Sequence, residues 1–549
     1  MLRSTKPPAF GTLLALRLAN AMLVQTFIHP DETWQSLEVA HRLAFGYGFA
    51  TWEWQHALRG YAHPMLFACV YELLRVLGLD DTFLLTAAPY ALVAAIAASI
   101  DYATFFFARR VAGPEVARWA LFCSAASWSM SSGVMRPLVN SAETACTAAA
   151  FAFWPWTTRA SGAAGSLPVA LVFAALACII RPTSGVLWLC AGIVLVARQP
   201  HVRWVPRTLR IVGTTTGIGI VAVCAMLLID RIGYGSWKFP PYQFYVFNVR
   251  EGLGTWFGES PMLYHLYASM PILFTTMLPY VVHGAWISAR SPHGCGEPAV
   301  VALLASVMFS LVGHMEYRFL YPLLPIGFVY AAVSISALTG RGSAKHDSKS
   351  DSKHDAKPGS KRACPWSAKR VAAFLLVTNI VPALYLDLVH QRGVVDVMKH
   401  LRRGARLGTV TDIGFLMPCH STPFYSHLHA NIPMWFLSCE PPLTRAELKS
   451  HYWEADDFEQ HPREFLHTVF ATAAAAKNTT TADGPTTRAK PSHLVLYDAM
   501  VRRIHPMLSE LGYAEEARFF NTHFSGDARR DGDVVVYQQQ QQPSFTKSM

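Results

Sequence analysis

The sequence carries little charge. Of its 549 residues only 15% are Asp, Glu, Lys or Arg, whereas soluble domains contain about 25%. Hydrophobic residues make up 52% of the chain, and apolar windows of about 20 residues, the length that a bilayer-spanning helix needs, recur up to residue 390. The shortage of charge excludes an ordinary soluble enzyme, and the apolar windows predict an α-helical polytopic membrane protein.

Several motifs are absent as well. The ten cysteines show no CxxC or Cys/His ligand spacing, which argues against a structural zinc site. The chain also lacks the internal repeat symmetry that secondary transporters usually show. A transporter remains an alternative explanation of many spans with polar residues between them, but it leaves a long polar tail after residue 390 unexplained.

The positive net charge of +11 is distributed over short loops between the apolar windows. Arg109, Arg110 and Arg290 belong to such loops, and this distribution is typical of the cytoplasmic side of a membrane protein. Nucleic-acid binding needs a basic stripe on a folded domain. We therefore predict no nucleic-acid partner.

The apolar windows predict about eleven transmembrane helices and a cytosolic N-terminus. A further apolar stretch, 64–79, carries Glu72 and Arg75 and is interpreted as an interfacial or re-entrant helix. With eleven crossings, the arginine clusters face the cytosol. The predicted spans are 10–28, 83–108, 116–134, 138–157, 167–181, 183–198, 208–230, 268–289, 298–314, 317–339 and 371–389.

The organisation predicted from these spans has four parts. Residues 1–339 form a membrane core, 340–370 a Lys/Ser/Asp-rich disordered cytosolic linker, and 371–389 the last span. Residues 390–549 then form a small mixed α/β domain on the luminal side.

Three local features are predicted within that last part. Strands are expected at 494–497 and 534–537, and a helix at 506–511 that begins at a proline and ends before a glycine. Cys419 and Cys439 are candidates for a disulfide in an oxidising lumen. Asn478 begins a glycosylation pattern.

The first predicted luminal loop, residues 29–63, is crowded with acids, histidines and tryptophans. Such a loop could be an ordinary interfacial segment whose aromatic residues lie among the headgroups. The carboxylates of Asp31 and Glu32 at the membrane boundary favour a functional site instead. The other polar and aromatic side chains of interest in this loop are His29, Glu38, His41, Trp52, Glu53, Trp54 and Arg59.

Two more polar clusters are predicted on the same side of the membrane. Arg136, Asn140 and Glu143 follow helical spacing, which suits either a site or a polar network within the bundle. The second cluster is His314, Glu316 and Arg318. The planar guanidinium of Arg318 suits a phosphate and His314 could assist or act as an acid, although a capped helix–helix turn with a Glu–Arg pair is equally consistent.

Together the three clusters fit sugar transfer between lipid-linked substrates. A carboxylate would deprotonate the hydroxyl of an acceptor, and Arg and His would stabilise the charge on a departing phosphate. Tryptophans would stack on the sugar rings. The composition permits this chemistry without selecting it.

Several motifs add a resemblance to a known family. They are HPDE followed by Trp34, Gln35 and SLEVAH, then RPLVNSAET (136–144), HMEYRFLYPLLP (314–325) and MPCHSTPFYSHLH (417–429). The sequence resembles the dolichyl-phosphate-mannose-dependent mannosyltransferases of glycosyltransferase family 22, in particular those that act on glycosylphosphatidylinositol (GPI) precursors. The resemblance covers almost the whole chain outside the lysine-rich linker, residues 471–490 and the glutamine tail.

The resemblance implies a GT-C fold in the endoplasmic reticulum membrane. It also implies transfer of the third mannose, in α-1,2 linkage, from dolichyl-phosphate mannose to a GPI precursor that bears two mannoses. No metal or other cofactor is implied. The alternatives within the family act on N-glycan precursors or add a fourth GPI mannose.

The resemblance also assigns roles to individual residues. Asp31 matches the acidic position of the family and is the expected base, with a shared or exchanged role for Glu32 left open. His314 and Arg318 are expected to contact the donor phosphate. Met315 departs from the family, since relatives usually carry lysine there, and removes one possible phosphate-binding cation.

Overall fold

The computed structural model describes residues 7–157, 165–200, 204–291, 294–339, 367–470 and 486–540. Most of the predicted linker and the glycosylation pattern at Asn478 lie outside these ranges. The described residues form two structural parts, a helical bundle and a mixed α/β unit.

The bundle is built from apolar helices whose ends follow local sequence signals. For example, a 29-residue helix ends at Gly113, whose φ of +89° suits glycine, and the next helix starts on Pro114, a favoured first helical residue. The α-helices of this part are Phe10–Leu23, Glu38–Phe45, Trp52–Gln55, Ala62–Val76, Leu84–Ala112, Pro114–Ala126, Val139–Phe153, Leu167–Ile180, Ser184–Ala197, Trp204–Tyr234, Pro240–Tyr245, Met270–Phe274, Leu278–Arg290, Glu297–Phe309, Leu324–Leu338 and Ala368–Leu388.

Shorter π and 3-10 segments join several of these helices. The π segments are Thr33–Leu37, Ser129–Gly133, Val246–Arg250 and His265–Ser269, and the 3-10 segments are Leu253–Phe257, Thr275–Met277 and Tyr317–Leu323. Two of them contain predicted site residues: Thr33–Leu37 includes Trp34 and Gln35, and Tyr317–Leu323 includes Arg318.

A helix lies in each of the eleven predicted spans, but they differ in length. The helix at the first span has 14 residues, short of the roughly 20 that a crossing needs, so the number of crossings remains a prediction. Five stretches within the described residues are long and apolar enough to cross a bilayer: Leu84–Ala112, Trp204–Tyr234, His265–Arg290, Tyr317–Leu338 and Ala368–Leu407.

One buried ion pair explains a charged residue in the first apolar window. The guanidinium of Arg17 lies 2.7 Å from the carboxylate of Asp101, which also accepts a hydrogen bond from Ser124 at 2.6 Å. Both charged side chains are almost fully buried. Pairing of this kind is what keeps a charge tolerable inside an apolar bundle.

The residues from Gly393 onward form a five-stranded mixed sheet flanked by helices. The strands are β1 (Ile413–Phe415), β2 (Met434–Phe436), β3 (His493–Tyr497), β4 (Tyr513–Phe519) and β5 (Val534–Gln539), in the order β2-β1-β3-β5-β4. β1 pairs in parallel with β2 and β3, whereas β5 is antiparallel to β3 and β4. The helices are Gly393–Leu407, Tyr425–Leu428, Glu447–Lys449, Glu454–Gln460, Pro462–Phe470, Asp498–Glu510 and Ala528–Arg530.

Local predictions for this unit are partly correct. Both predicted strands are present, as β3 and β5. The predicted helix start at Pro506 is wrong, because the helix begins at Asp498, directly after β3, and includes Pro506 within it. Its buried residues Val501, Ile504 and Leu508 follow helical spacing, so packing of that face outweighs the hydrogen bond that proline lacks. The disulfide between Cys419 and Cys439 is formed.

Candidate active site

A cavity of about 540 Å³ lies where the 29–63 loop, the segment around Arg318 and the C-terminal unit meet. Its volume is in the usual range for a small-molecule site. Eleven of the predicted site residues line it: His29, Asp31, Trp34, Gln35, Trp52, Trp54, Arg59, Asn140, His314, Glu316 and Arg318.

Asp31 lies at the start of a helical segment. The carbonyl of Pro30 accepts hydrogen bonds from the backbone of Thr33 and Trp34 at 3.2 and 3.0 Å, and the helical segment continues to Phe45. A carboxylate in a first helical turn is stabilised by the helix dipole. The Asp31 side chain is one quarter exposed, and one of its oxygens lies 2.5 Å from Arg318.

Arg318 is held by two carboxylates. Besides Asp31, it donates to both oxygens of Glu316 at 2.5 and 2.7 Å. His314 lies 3.4 Å from the same carboxylate, and this hydrogen bond raises the pKa of His314. The predicted Glu–Arg pair is therefore present, and it lies in the cavity wall beside Asp31.

His29 also lines the cavity and hydrogen-bonds to Tyr317, the residue before Arg318. Its Nε2 is 2.5 Å from the hydroxyl of Tyr317. Burial, reinforced by the positive charge of Arg318, lowers the pKa of His29 to about 4. His29 is therefore neutral at physiological pH and offers one donor and one acceptor.

Glu32 is turned away from the cavity, although it is adjacent to Asp31. Its carboxylate accepts the backbone N–H groups of Ile28 and His29 at 2.7 and 3.2 Å and pairs with Arg136 at 2.9 Å. Glu32 is fully buried and does not line the cavity. The possibility that Glu32 acts directly as the base finds no support in this geometry.

We predict that Glu32→Gln impairs folding rather than catalysis. The amide would leave the buried guanidinium of Arg136 without its main counter-charge, which lies at 2.9 Å, and breaking such a pair costs about 3 to 5 kcal/mol. Thermal unfolding of the purified variant, combined with its turnover per folded molecule, measures this. A variant that unfolds at the wild-type temperature yet transfers no sugar would contradict the assignment and make Glu32 the base.

The predicted cluster of Arg136, Asn140 and Glu143 does not form. Arg136 binds Glu32 and the Thr26 hydroxyl, the latter at 2.8 Å, whereas Glu143 pairs with Arg181 at 3.1 Å. Asn140 alone of the three lines the cavity. The helix begins only at Val139, so the assumed helical spacing does not extend to Arg136, and partners distant in the sequence determine where Arg136 and Glu143 point.

Glu38 and His41 also lie outside the cavity, contrary to the predicted binding role. Glu38 is fully buried and accepts the backbone N–H groups of Phe424 and Ser426 and the Ser426 hydroxyl. His41 lies 3.0 Å from His429. The two residues therefore fasten the 29–63 loop to the C-terminal unit, and burial raises the pKa of Glu38 to about 7.

Of the predicted tryptophans, Trp52 and Trp54 are packed in the cavity wall and largely buried. Trp52 lies against Phe247 at 5.2 Å and is stacked with Phe257 at 6.2 Å. Trp54 is 4% exposed. Both line the cavity although little of either side chain is exposed.

Glu53 is a cavity residue to which the sequence assigned no role. Its carboxylate pairs with Arg59 at 2.8 Å and accepts a hydrogen bond from Gln35 at 3.2 Å. Burial raises the pKa of Glu53, with Asp31 adding to the effect and Arg59 opposing it. Its position between Trp52 and Trp54 was the only feature of the sequence that could have indicated a cavity residue.

Other cavity residues come from segments far apart in the sequence. Arg181 lies over the ring of Phe319 at 4.7 Å. Only the resemblance of the surrounding motifs could have indicated most of these residues. Besides Arg181 they are His63, Asp230, Cys419, His420, Cys439 and Arg530.

Within the described residues, Cys419, His420 and Cys439 form a group close enough to hold a metal ion. The two cysteines are joined in a disulfide, and a disulfide sulfur is not a thiolate ligand. The group therefore lacks the donors that a zinc site requires.

Comparison with known proteins shows which family the chain belongs to. The model of the Alg9-like mannosyltransferase family matches residues 9–429, a range that includes Asp31, Arg318 and His420. The chain belongs to the Alg9-like mannosyltransferase family. The predicted enzyme class, a glycosyltransferase, is confirmed.

Similar members of this mannosyltransferase family match almost the whole chain. The chain is 38% identical to GPI mannosyltransferase 3 of Yarrowia lipolytica over 96% of both proteins. It is 34% identical to human GPI alpha-1,2-mannosyltransferase 3, over 98% of this chain and 88% of the human protein. The resemblance predicted from motifs is therefore confirmed.

A solved structure shows the same fold for this mannosyltransferase. The crystal structure of ArnT from Cupriavidus metallidurans bound to undecaprenyl phosphate matches with a TM-score of 0.53 over 96% of both chains, at 14% identity. At that identity the match supports the architecture alone. The predicted GT-C fold of a multi-pass membrane protein is confirmed at this level.

Proposed function

We propose that this enzyme adds the third mannose, in α-1,2 linkage, to a GPI precursor that bears two mannoses, with dolichyl-phosphate mannose as donor. The observation that carries the proposal is the end-to-end match to relatives named for this activity, at 38% and 34% identity. The cavity fits a sugar transfer, because it combines a partly exposed carboxylate with cations and aromatic side chains.

Asp31 is the proposed base. It is the acid of the HPDE motif that lines the cavity, and only one of its oxygens is engaged by Arg318. The other carboxylate oxygen can accept the proton of the acceptor hydroxyl while the hydroxyl oxygen attacks the anomeric carbon of the donor. A single displacement on a β-linked donor inverts the configuration and gives the α product without a covalent intermediate.

Arg318 and His314 are proposed to bind the departing phosphate. The guanidinium offers several donors in a plane that matches phosphate oxygens, and the raised pKa of His314 favours its charged form. Neither step requires a metal ion or other cofactor, because these two side chains can neutralise the developing charge. The phosphate would compete with Asp31 and Glu316 for the same guanidinium.

The proposed location is the endoplasmic reticulum membrane, with the N-terminus in the cytosol. The C-terminal unit lines part of the cavity, so both would then face the lumen. The substrates are lipids of that membrane.

Cells that lack the third GPI mannosyltransferase test this proposal. Expression of this chain is expected to restore GPI-anchored proteins at the surface and to remove the accumulated two-mannose lipid, as measured by thin-layer chromatography of labelled glycolipids. Persistence of the two-mannose lipid despite good expression would refute it. An enzyme that adds the fourth mannose would also leave the two-mannose lipid in place, and it would be recognised by rescue of cells that lack the fourth GPI mannosyltransferase instead.

A further inference from the structure

A loop of the C-terminal unit forms part of the cavity wall. Residues Cys419 and His420, together with Cys439 and Arg530, line the cavity from this unit. The membrane bundle supplies the proposed base and phosphate-binding cations, and the C-terminal unit adds an imidazole, a disulfide and one guanidinium.

The backbone of His420 is held in an unusual conformation. Its φ is +57°, a value that residues other than glycine seldom adopt. The preceding residue is tied to Cys439 by the disulfide, and two residues later the carbonyl of Thr422 accepts a hydrogen bond from the indole of Trp34 at 2.9 Å. Constraints on both sides therefore fix the position of the imidazole.

The His420 ring packs on Trp34 with 4.3 Å between centroids and lies 5.3 Å from Phe436. Within the part of the chain that the structure describes, no residue hydrogen-bonds to this imidazole. A strained backbone that presents an imidazole without a hydrogen-bond partner at a cavity wall is a typical feature of ligand-binding sites.

The charge of His420 also suits an uncharged ligand. Burial lowers the pKa of His420 to about 4, with Asp31 opposing and Arg530 adding to this effect. The ring is therefore neutral and offers one N–H donor and one acceptor. That pair suits a sugar hydroxyl, which both donates and accepts, better than a phosphate.

We propose that His420 hydrogen-bonds a sugar hydroxyl of the acceptor glycan and that Trp34 supplies the adjoining apolar face. Asp31 connects the two sides of the cavity, because Arg318 binds one of its oxygens and its negative charge also acts on His420. A base must touch the attacking hydroxyl, so the acceptor lies next to Asp31. His420 is thereby a specificity-determining residue for the acceptor. This inference rests on the proposed function.

The test uses purified full-length enzyme, dolichyl-phosphate mannose and a synthetic GPI glycolipid with two mannoses. The variant His420→Gly removes the imidazole, and glycine adopts positive φ without strain. We expect the KM for the acceptor to rise about tenfold, the loss of roughly one hydrogen bond, with the KM for the donor within about twofold of wild type. The variant His420→Asn, which tolerates positive φ and keeps a donor and an acceptor, is expected to recover most of the difference.

The matched control is His505→Asn, at an exposed histidine of the helix Asp498–Glu510, which should leave both KM values unchanged. An unchanged acceptor KM in His420→Gly overturns the inference. Equal losses for both substrates together with a lower unfolding temperature overturn it too, because they indicate a structural role. A wild-type enzyme that transfers no mannose to this acceptor refutes the proposed function itself.

Discussion

Asp31→Asn is expected to lower the rate of mannose transfer by about 10² to 10⁴, the range that a positioned general base contributes. The amide is nearly isosteric but cannot take the proton of the attacking hydroxyl. Folding should be preserved, because Arg318 keeps both hydrogen bonds to Glu316. Turnover of the purified variant with dolichyl-phosphate mannose measures the effect.

Two further readouts identify the cause. The KM for the donor should stay level or fall, since removing the carboxylate that lies 2.5 Å from Arg318 frees the guanidinium for phosphate. The control is Asp81→Asn, at a carboxylate that is 79% exposed, which should retain full activity. A turnover above one tenth of wild type in Asp31→Asn would rule out Asp31 as the base.

Arg318→Gln is expected to lower kcat by about 10² to 10³, the usual effect of removing one preorganised donor from a developing negative charge. The neighbouring Met315 is buried and apolar, so within this motif His314 is the remaining cation. Arg318→Lys should recover part of the loss, because it restores the charge without the planar fork of donors. Steady-state kinetics with varied donor concentration measure both variants.

The control for this pair is Arg403→Gln, at an exposed arginine of the helix Gly393–Leu407. It should leave kcat and both KM values unchanged. If Arg318→Gln raised only the KM for the acceptor and left kcat intact, the guanidinium would not act on the departing phosphate.

The sequence could predict the cavity residues that lie close together along the chain. Asp31, Trp34 and Gln35 belong to one short motif and His314 and Arg318 to another, so a local pattern was sufficient to find them. The helices at the eleven predicted spans were equally accessible, because apolar runs identify them directly. The number of membrane crossings could not be predicted in the same way, since several helices are shorter than a bilayer requires.

Predictions failed where a distant partner decides the direction of a side chain. Glu38 was expected to bind substrate, but it accepts backbone N–H groups of Phe424 and Ser426, more than 380 positions later. Glu32 and Arg136 form an ion pair with each other and do not line the cavity. A single sequence contains no signal for such pairings. For the same reason nothing in the sequence indicated that His420 lines the cavity, although the residue belongs to a motif that resembles the family.

The most direct test of the account is the structure of the product made by purified enzyme from dolichyl-phosphate mannose and a two-mannose GPI glycolipid. We predict that nuclear magnetic resonance spectra will show one new mannose, attached in α configuration to position 2 of the terminal mannose. A β-linked product, attachment at another hydroxyl, or no transfer by a folded enzyme would contradict it.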